Sequence, residues 1–161
     1  MTPSSVEQAQ VSGLPRHVVG VAGVVVDEGG RALAVRRRTP ARWELPGGAL
    51  ERDERVVDGL VREVREESGL RVEPVALSGV YQNMALGPVA LVFLCTRIGG
   101  TERTSDETSD WRWLRPDEID ELMPPARSVR FTDALGLWAA LGDGRTPDPP
   151  PVRAHDGTHL L

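Results

Sequence analysis

Three glutamates, Glu63, Glu66 and Glu67, lie close together in a segment whose apolar spacing predicts a helix. On a helix of about 100° per residue their side chains fall on one face, beside an apolar stripe. Carboxylates at this spacing repel one another unless a positive charge lies among them. Hard divalent cations bound through oxygen fill that role, and Mg²⁺ and Mn²⁺ do so beside substrate phosphates. The spacing therefore predicts a site for Mg²⁺ or Mn²⁺.

A charged helix face is more often solvated than bound to a metal. The loop before the helix helps to decide between these alternatives. The loop is Trp43-Glu44-Leu45-Pro46-Gly47-Gly48. Paired glycines let the backbone approach a ligand closely, and proline stiffens the entry. An ordinary tight turn is the alternative for the glycines taken alone. Loop and helix together are interpreted as one site.

The helix that positions the carboxylates has predicted ends. Asp53 is a suitable N-cap, Glu54 places negative charge in the first turn, and Gly69 suits the residue that ends the helix. Between them an apolar stripe faces a core, formed by Val57, Leu60, Val61 and Val64.

Residues 48 to 70 as a whole follow the pattern G-x5-E-x7-R-E-U-x-E-E-x-G-U, in which U is aliphatic. A chance match is on the order of 10⁻⁹ per starting position. The pattern is the Nudix box, and the chain resembles a Nudix hydrolase over about residues 17 to 141. The positions are filled by Gly48, Glu54, Arg62, Glu63, Val64, Glu66, Glu67, Gly69 and Leu70.

The resemblance implies a hydrolase that uses Mg²⁺ or Mn²⁺ to cleave a nucleoside diphosphate linked to a moiety X, by attack of water at phosphorus. It implies that the box glutamates act in catalysis and that they bind the metal together with the Gly47 carbonyl. The remaining box residues are expected to be architectural, with Arg62 orienting Glu66 through an ion pair at i,i+4. The implied metal ligands are Gly47, Glu63, Glu66 and Glu67, and the architectural residues are Gly48, Glu54, Arg62 and Gly69.

One further acidic residue is a candidate outside the box. Members of the family often take another ligand or a general base from a distant loop, and an E-x-x-x-W arrangement is familiar there. Glu107, four residues before Trp111, is the candidate, with Asp106 second. A solvated acidic loop is the alternative.

Candidate substrate contacts lie in or next to the loop. Arginine binds phosphate bidentately, and the run Arg36-Arg37-Arg38 ends a predicted strand, where neighbouring side chains point to opposite faces. Arg36 and Arg38 are the candidate phosphate contacts. Trp43 is a candidate to stack on a base, with core packing as the alternative.

The remaining elements predict an α+β fold. A valine-rich run at 18–26 suits a buried strand, and Asp27-Glu28-Gly29-Gly30 predicts a hairpin turn into a return strand at 32–37. Further strands are expected at 72–77, 79–82, 89–96 and 111–114, a short helix after Pro116 and a last helix at about 128–141. The resemblance implies a Nudix α/β/α sandwich with a mixed β-sheet between helices. The predicted division is an N-terminal extension at 1–16, the Nudix domain at 17–141 and a Pro/Gly-rich tail at 142–161.

Composition limits the partners. The chain has 161 residues and a net charge of −5, which disfavours a broad basic surface for nucleic acid. We expect a small-molecule nucleoside diphosphate derivative as substrate, no stable nucleic-acid partner, no membrane segment and no signal peptide. The single cysteine, Cys95, is expected to be buried, and its lack of a partner for an internal disulfide fits a cytoplasmic location. Homodimers are frequent in the family.

Three other functions compete with this hypothesis. An isopentenyl-diphosphate isomerase-like enzyme would need a cysteine beside the site, and Cys95 is predicted to lie within a strand. A non-catalytic nucleotide-sensing Nudix domain often lacks box glutamates, which are complete here. A structural domain with an acidic helix would not bind Mg²⁺. The sequence does not select the substrate: Pro88 gives a weak indication of ADP-ribose, and oxidised nucleotides are equally open.

Overall fold

Two β-sheets form the framework of the protein, whose computed structural model describes residues 13–161. A five-stranded sheet has the order β4-β1-β6-β5-β8, and a three-stranded sheet has the order β3-β2-β7. The strands are β1 Val19–Val25, β2 Ala32–Arg37, β3 Arg42–Glu44, β4 Gly47–Ala49, β5 Leu70–Asn83, β6 Val89–Gly100, β7 Thr108–Leu114 and β8 Val152–His155. The helices of the described residues are α1 Val56–Ser68, α2 Pro116–Leu122 and α3 Pro125–Gly142.

The larger sheet is mixed and lies between helices, as predicted. Strand β1 pairs parallel with β6 and antiparallel with β4. Alternate residues of β1 enter two separate cores: Val21 and Val25 pack with Leu60 and Val64 of α1. Ala22 and Val24 pack on the other side, in a core that contains Phe131, Ala134 and Leu135 of α3. Since side chains alternate across a strand, α1 and α3 cover opposite faces of the sheet, and the α/β/α sandwich is confirmed.

The turn between β1 and β2 forms where predicted, but the two strands do not make a hairpin. Asp27 Oδ1 accepts hydrogen bonds from the amides of Gly29 and Arg31, and Gly30 has a φ of 77°. Beyond the single bridge Val26↔Ala32, the strands enter different sheets. The reason is that β4 and β6 already occupy both edges of β1, so β2 pairs with β3 and β7 instead.

The strands after α1 are longer than predicted. The segments expected at 72–77 and 79–82 are one strand, β5, whose register against β6 shifts at three places. The segment 142–161 was expected to be a tail, yet Val152–His155 forms β8 and pairs parallel with β5. The alternating sequence Val-Arg-Ala-His, which follows the proline run, suits a strand at an open edge.

Helix boundaries differ from expectation at two N-termini. Helix α1 begins at Val56 with Arg55 as N-cap, so the prediction of Asp53 as the cap was wrong. Residues 51–54 instead form a turn in which Glu54 accepts the Glu51 amide. Both Asp53 and Glu54 therefore lie outside the helix, and the acid of the first turn is Asp58 rather than Glu54 as predicted. Gly69 ends α1 with a φ of 81°, as predicted. Helix α3 begins at Pro125, because proline suits the first turn of a helix.

Cys95 is buried in β6 beside Val25 of β1. Burial raises the pKa of its thiol to about 12. The prediction of a small buried apolar side chain is therefore confirmed. None of the helices in the described part of the chain combines the length and apolarity that a bilayer crossing requires.

Candidate active site

Helix α1 presents its glutamates to β4 because its apolar side packs closely on β1. Leu60 and Val64 are fully buried there. A Cβ on Gly23 of β1 would lie 2.8 Å from Val64 Cγ2, so glycine allows the close approach. The packing places Glu63 and Glu67 against the paired glycines of β4.

Glu67 is the most buried acid of the site, with only 3% of its surface exposed. Its Oε2 accepts a hydrogen bond from the Gly47 amide at 2.9 Å. The contact of Gly47 with Glu67 thus uses its N–H. Burial raises the pKa of Glu67 to about 7, against the opposing effects of the Gly47 amide and Arg37. Repulsion from Glu44 and Glu63 adds to the increase. A buried carboxylate with one hydrogen bond is poised to accept either a proton or a cation.

Glu63 lies directly over Gly48. A Cβ on Gly48 would lie 2.5 Å from the Glu63 carboxyl carbon, so only glycine leaves room for this side chain. Burial raises the pKa of Glu63 although Arg62 contacts its carboxylate at 2.8 Å, and repulsion from Glu66 and Glu107 acts in the same direction.

Arg62 connects three of the glutamates. Its guanidinium makes two hydrogen bonds to Glu54, at 2.7 and 2.9 Å, and contacts Glu63 at 2.8 Å and Glu66 at 3.1 Å. The carboxylates of Glu54 and Glu63, which accept these hydrogen bonds, raise the pKa of Arg62, so its side chain stays charged. The predicted pair between Arg62 and Glu66 is confirmed. A Cβ on Gly59 would lie 2.6 Å from Glu54 Oε2, which explains a glycine inside α1.

The donor set suits a hard cation, but the three glutamates do not form a preassembled cage. Glu63 and Glu66 both contact Arg62, whereas Glu67 turns to Gly47. Within residues 13–161 no three His, Cys, Asp or Glu side chains have the geometry to hold a metal ion. The expected convergence of Glu63, Glu66 and Glu67 is therefore not found. Because 59% of the Glu66 side chain is exposed, it can turn from Arg62 without disturbing the core.

Glu107 lies beside the acidic face, although it is largely exposed. Its carboxylate contacts Arg37 at 3.1 Å, and its charge acts on Glu63. The Glu107 carbonyl accepts the Arg38 amide, which fixes this loop to the end of β2. The structure thus brings Glu107 to the box, as predicted, while its chemical role stays a prediction.

A cleft of about 310 Å³ opens beside the paired glycines. Gly47 and Gly48 form part of its wall, and apolar residues of β1 and β6 line its floor. Four arginines and one acid also face it: Arg37, Arg42, Arg127, Arg130 and Glu44. Of the four arginines, the sequence pointed only to Arg37, as the middle residue of the run Arg36-Arg37-Arg38. The other three were missed because β3 and α3 meet only in the folded chain, and their one local signal was the i,i+3 spacing of Arg127 and Arg130.

The three predicted substrate contacts do not line this cleft. Arg36 and Trp43 instead line a neighbouring groove with Arg112, whose guanidinium lies 5.0 Å from the Trp43 ring centre. This groove shares Arg42 and Arg127 with the cleft. Arg38 donates to the Ser105 carbonyl at 3.2 and 3.3 Å. Strand alternation places Arg37, between Arg36 and Arg38, on the cleft side. A substrate role for Arg36, Arg38 and Trp43 therefore stays a prediction without support from the geometry.

The chain matches one protein-family model and several known proteins over most of its length. The model of the NUDIX domain matches residues 16–135. A "MutT-like protein" of Streptomyces ambofaciens is 52% identical over 147 residues, which cover 91% of this chain and 89% of that protein. A "Putative 8-oxo-dGTP diphosphatase" of Bacillus subtilis (strain 168) is 30% identical over 118 residues, covering 73% of this chain and 79% of the relative.

A solved structure shows the same fold. The crystal structure of an ADP-ribose pyrophosphatase from Streptococcus suis 89-1591 superimposes with a TM-score of 0.66 at 21% sequence identity. The match covers 87% of this chain and all of that chain. At this identity the likeness extends to the fold alone.

Proposed function

Since this chain belongs to the Nudix family and is a Nudix hydrolase, we propose that it is a Mg²⁺- or Mn²⁺-dependent pyrophosphohydrolase acting on a nucleoside diphosphate linked to a moiety X. A water oxygen forms a bond to one phosphorus, and the P–O bond to the bridging oxygen breaks. The products are two phosphate monoesters, or a nucleoside monophosphate and pyrophosphate when X is itself a phosphoryl group. The proton of the water leaves to a neighbouring base.

The observation that carries the proposal is a buried glutamate, Glu67, and a half-buried one, Glu63, behind the paired glycines that line the cleft. Glu63 and Glu67 lie against Gly48 and Gly47, and those glycines line the space where a substrate would enter. Both carboxylates are buried enough that their pKa values are raised. Ionised acids in such a place cost free energy, which a bound cation offsets.

The residues have separate roles in the proposed reaction. Glu63, Glu66 and Glu67 would hold the cation, which when bound neutralises phosphoryl oxygens and lowers the pKa of the attacking water. Arg62 orients Glu63 and Glu66 through its hydrogen bonds to both carboxylates. Glu107, held by Arg37, is the candidate for the base or a further ligand. Catalysis then consists mainly in positioning and charge stabilisation.

The substrate class follows from the relatives only in outline. Small nucleotides are favoured, and the Bacillus relative's name adds 8-oxo-dGTP to the compounds worth testing. We retain the cytoplasm as the expected location, on the basis of the single buried thiol. An isomerase is disfavoured, because Cys95 lies within β6 and does not line the cleft.

The decisive experiment is a panel of nucleotides and dinucleotides assayed with Mg²⁺, including ADP-ribose and 8-oxo-dGTP. Glu67→Gln is compared with wild type, and Glu73→Gln, an exposed acid on β5, is the matched control. We expect kcat/KM for the preferred compound to fall by about 10²- to 10⁴-fold in Glu67→Gln and to stay unchanged in the control. Labelled-oxygen water then identifies the phosphorus attacked. Equal rates for wild type and Glu67→Gln would contradict the assignment of the site.

A further inference from the structure

Two arginines of α3, Arg127 and Arg130, line the cleft wall. The Nε atom of each is buried and has no hydrogen-bond partner among residues 13–161. A buried N–H without an acceptor is costly, and native proteins rarely leave one unpaired.

The contacts that Arg130 does make bring no negative charge. Its guanidinium carbon lies 5.4 Å from the centre of the Tyr81 ring, and its Nη2 atom lies 3.0 Å from His155 Nε2. His155 Nδ1 accepts the Gly157 amide at 3.1 Å, so in the neutral ring Nε2 carries the proton and cannot accept from Arg130. Burial lowers the pKa of His155, which favours that neutral form.

The carboxylates closest to these arginines are already paired. Glu44 contacts Arg42 at 2.8 Å and Arg37 at 3.4 Å. Asp133 contacts Arg153 through both oxygens at 2.7 Å and also accepts the Tyr81 hydroxyl. In the described part of the chain the cleft therefore has a surplus of positive charge. Burial lowers the pKa of Arg127 and Arg130, and repulsion from Arg42 adds to it in both.

We infer that Arg127 and Arg130, with Arg42, form a subsite for a further phosphoryl group of the substrate, in addition to the two of the diphosphate that the box glutamates would engage. Arginine donates to phosphate oxygens in a fixed fork, and such charge-assisted hydrogen bonds are roughly twice as strong as those between neutral groups. The inference rests on the proposed function only for the identity of the ligand. It predicts a preference for nucleotides that carry a phosphoryl group beyond the diphosphate that is cleaved.

The subsite can be tested without catalysis. Inorganic phosphate is titrated into the protein in EDTA, and binding is followed by calorimetry and by the shift in melting temperature. Wild type is compared with Arg127→Gln and Arg130→Gln. The matched control is Arg145→Gln, an exposed arginine just beyond α3 that pairs with Asp143. Acetate at equal ionic strength tests whether any carboxylate serves as well as phosphate.

We expect each cleft variant to weaken phosphate binding at least about tenfold, and the control to leave it unchanged. Phosphate should raise the melting temperature of wild type and of Arg145→Gln, but not that of Arg130→Gln. Melting temperatures without phosphate verify that the variants fold. Equal phosphate affinity in wild type and both cleft variants, no phosphate binding at all, or equal binding of acetate would each overturn the inference.

A kinetic comparison separates the subsite from the reaction. Two nucleotides of the panel that share a diphosphate link are assayed, one with and one without an additional phosphoryl group. Arg130→Gln should raise KM at least about tenfold for the first compound only, with kcat unchanged. If wild type hydrolyses neither compound, the proposed function fails while the phosphate titration still decides the subsite. If KM rises equally for both compounds, the subsite assignment fails while the hydrolase stands.

Discussion

The acidic face, formed by Glu63, Glu66 and Glu67 of α1 with the preceding Glu54, lies beside the arginine-lined cleft. The two regions differ in whether their charged groups are paired. On the acidic face Arg62 joins Glu54, Glu63 and Glu66, so nearly every carboxylate has a donor. In the cleft the Nε atoms of Arg127 and Arg130 are buried and find no acceptor in the part of the chain that the structure describes. Glu44 lies on the boundary and acts on both regions, since its charge influences Glu67 and both arginines.

The difference separates two uses of polar groups. Paired charges fix side chains in a defined geometry before a ligand arrives, which is the arrangement of Arg62 and its glutamates. Unpaired buried charges raise the free energy of the empty protein, and a complementary ligand recovers that cost on binding. The pairing on the acidic face therefore orients its glutamates, whereas the unpaired arginines of the cleft favour binding of an anion.

The largest expected effect on stability comes from removing Arg62, the guanidinium that the carboxylates of the acidic face share. Arg62→Met leaves three carboxylates without their common donor, so the free energy of unfolding should fall by about 2–4 kcal/mol. Urea denaturation in EDTA measures the change. Mg²⁺ should restore part of the loss, because a cation replaces the missing positive charge.

Arg65→Met is the control for that variant, since Arg65 is exposed on the same helix. It should change the free energy of unfolding by no more than about 0.5 kcal/mol. If the Arg62 and Arg65 variants are equally stable, the acidic face is not held together by its pairing and the contrast between the regions fails.

The next effect concerns proton and cation competition at Glu67. Its pKa of about 7 lies above the ordinary glutamate value, so the folded protein binds a proton more tightly than the unfolded chain does. Without metal, the free energy of unfolding should therefore fall as pH rises from about 4.5 to 7. Mg²⁺ must displace this proton, so its affinity should drop about tenfold per pH unit below pH 7.

Calorimetric Mg²⁺ titrations between pH 5.5 and 8 measure this dependence, and Glu67→Gln serves as the comparison. The variant should bind Mg²⁺ weakly and with a flatter pH profile. A wild-type affinity that is constant over this range would show that Glu67 is not the acid that the cation replaces.

A smaller effect is expected at the boundary. Glu44→Gln removes the acid that Arg37 and Arg42 share, which should lower the free energy of unfolding by about 1–2 kcal/mol. The same change makes the cleft more positive, so phosphate should bind a few times more tightly in EDTA. Glu121→Gln, an exposed acid of α2, is the control. Weaker phosphate binding in Glu44→Gln would mean that Glu44 supports the subsite rather than limiting it.

The smallest effect distinguishes neighbours on β2. Arg37 lines the cleft, whereas Arg36 lies in the groove beside Trp43. Arg37→Gln should raise KM for the preferred nucleotide by about tenfold, and Arg36→Gln by less than about twofold. Steady-state kinetics on the two variants decides between them. A larger effect at Arg36 would restore the sequence-based choice of substrate contacts.

The sequence predicted best what local spacing determines. The glutamates of α1, the Arg62–Glu66 pair and the glycine that ends the helix all follow from helical geometry over about four turns of chain. The buried strand at 19–25 followed in the same way from its run of valines. These features depend on neighbours in sequence, which a single chain displays.

What the sequence could not predict depends on distant neighbours. The β1–β2 turn looked like a hairpin, because nothing in it shows that β4 and β6 occupy both edges of β1. Three of the four arginines of the cleft were missed for the same reason, since Arg42 of β3 and Arg127 and Arg130 of α3 come together only in the folded chain. The strand at 152–155 was hidden by the prolines before it, and its partner β5 lies far away in sequence.

The burial of Cys95 has a practical consequence for spectroscopy. Its thiol is the only one in the chain, and with a pKa of about 12 it carries almost no thiolate near neutral pH while the protein is folded. A maleimide dye would therefore modify a cysteine introduced on the surface far faster than Cys95. A fluorophore or spin label can be attached at one chosen place in the natural background, without first replacing a residue of the core.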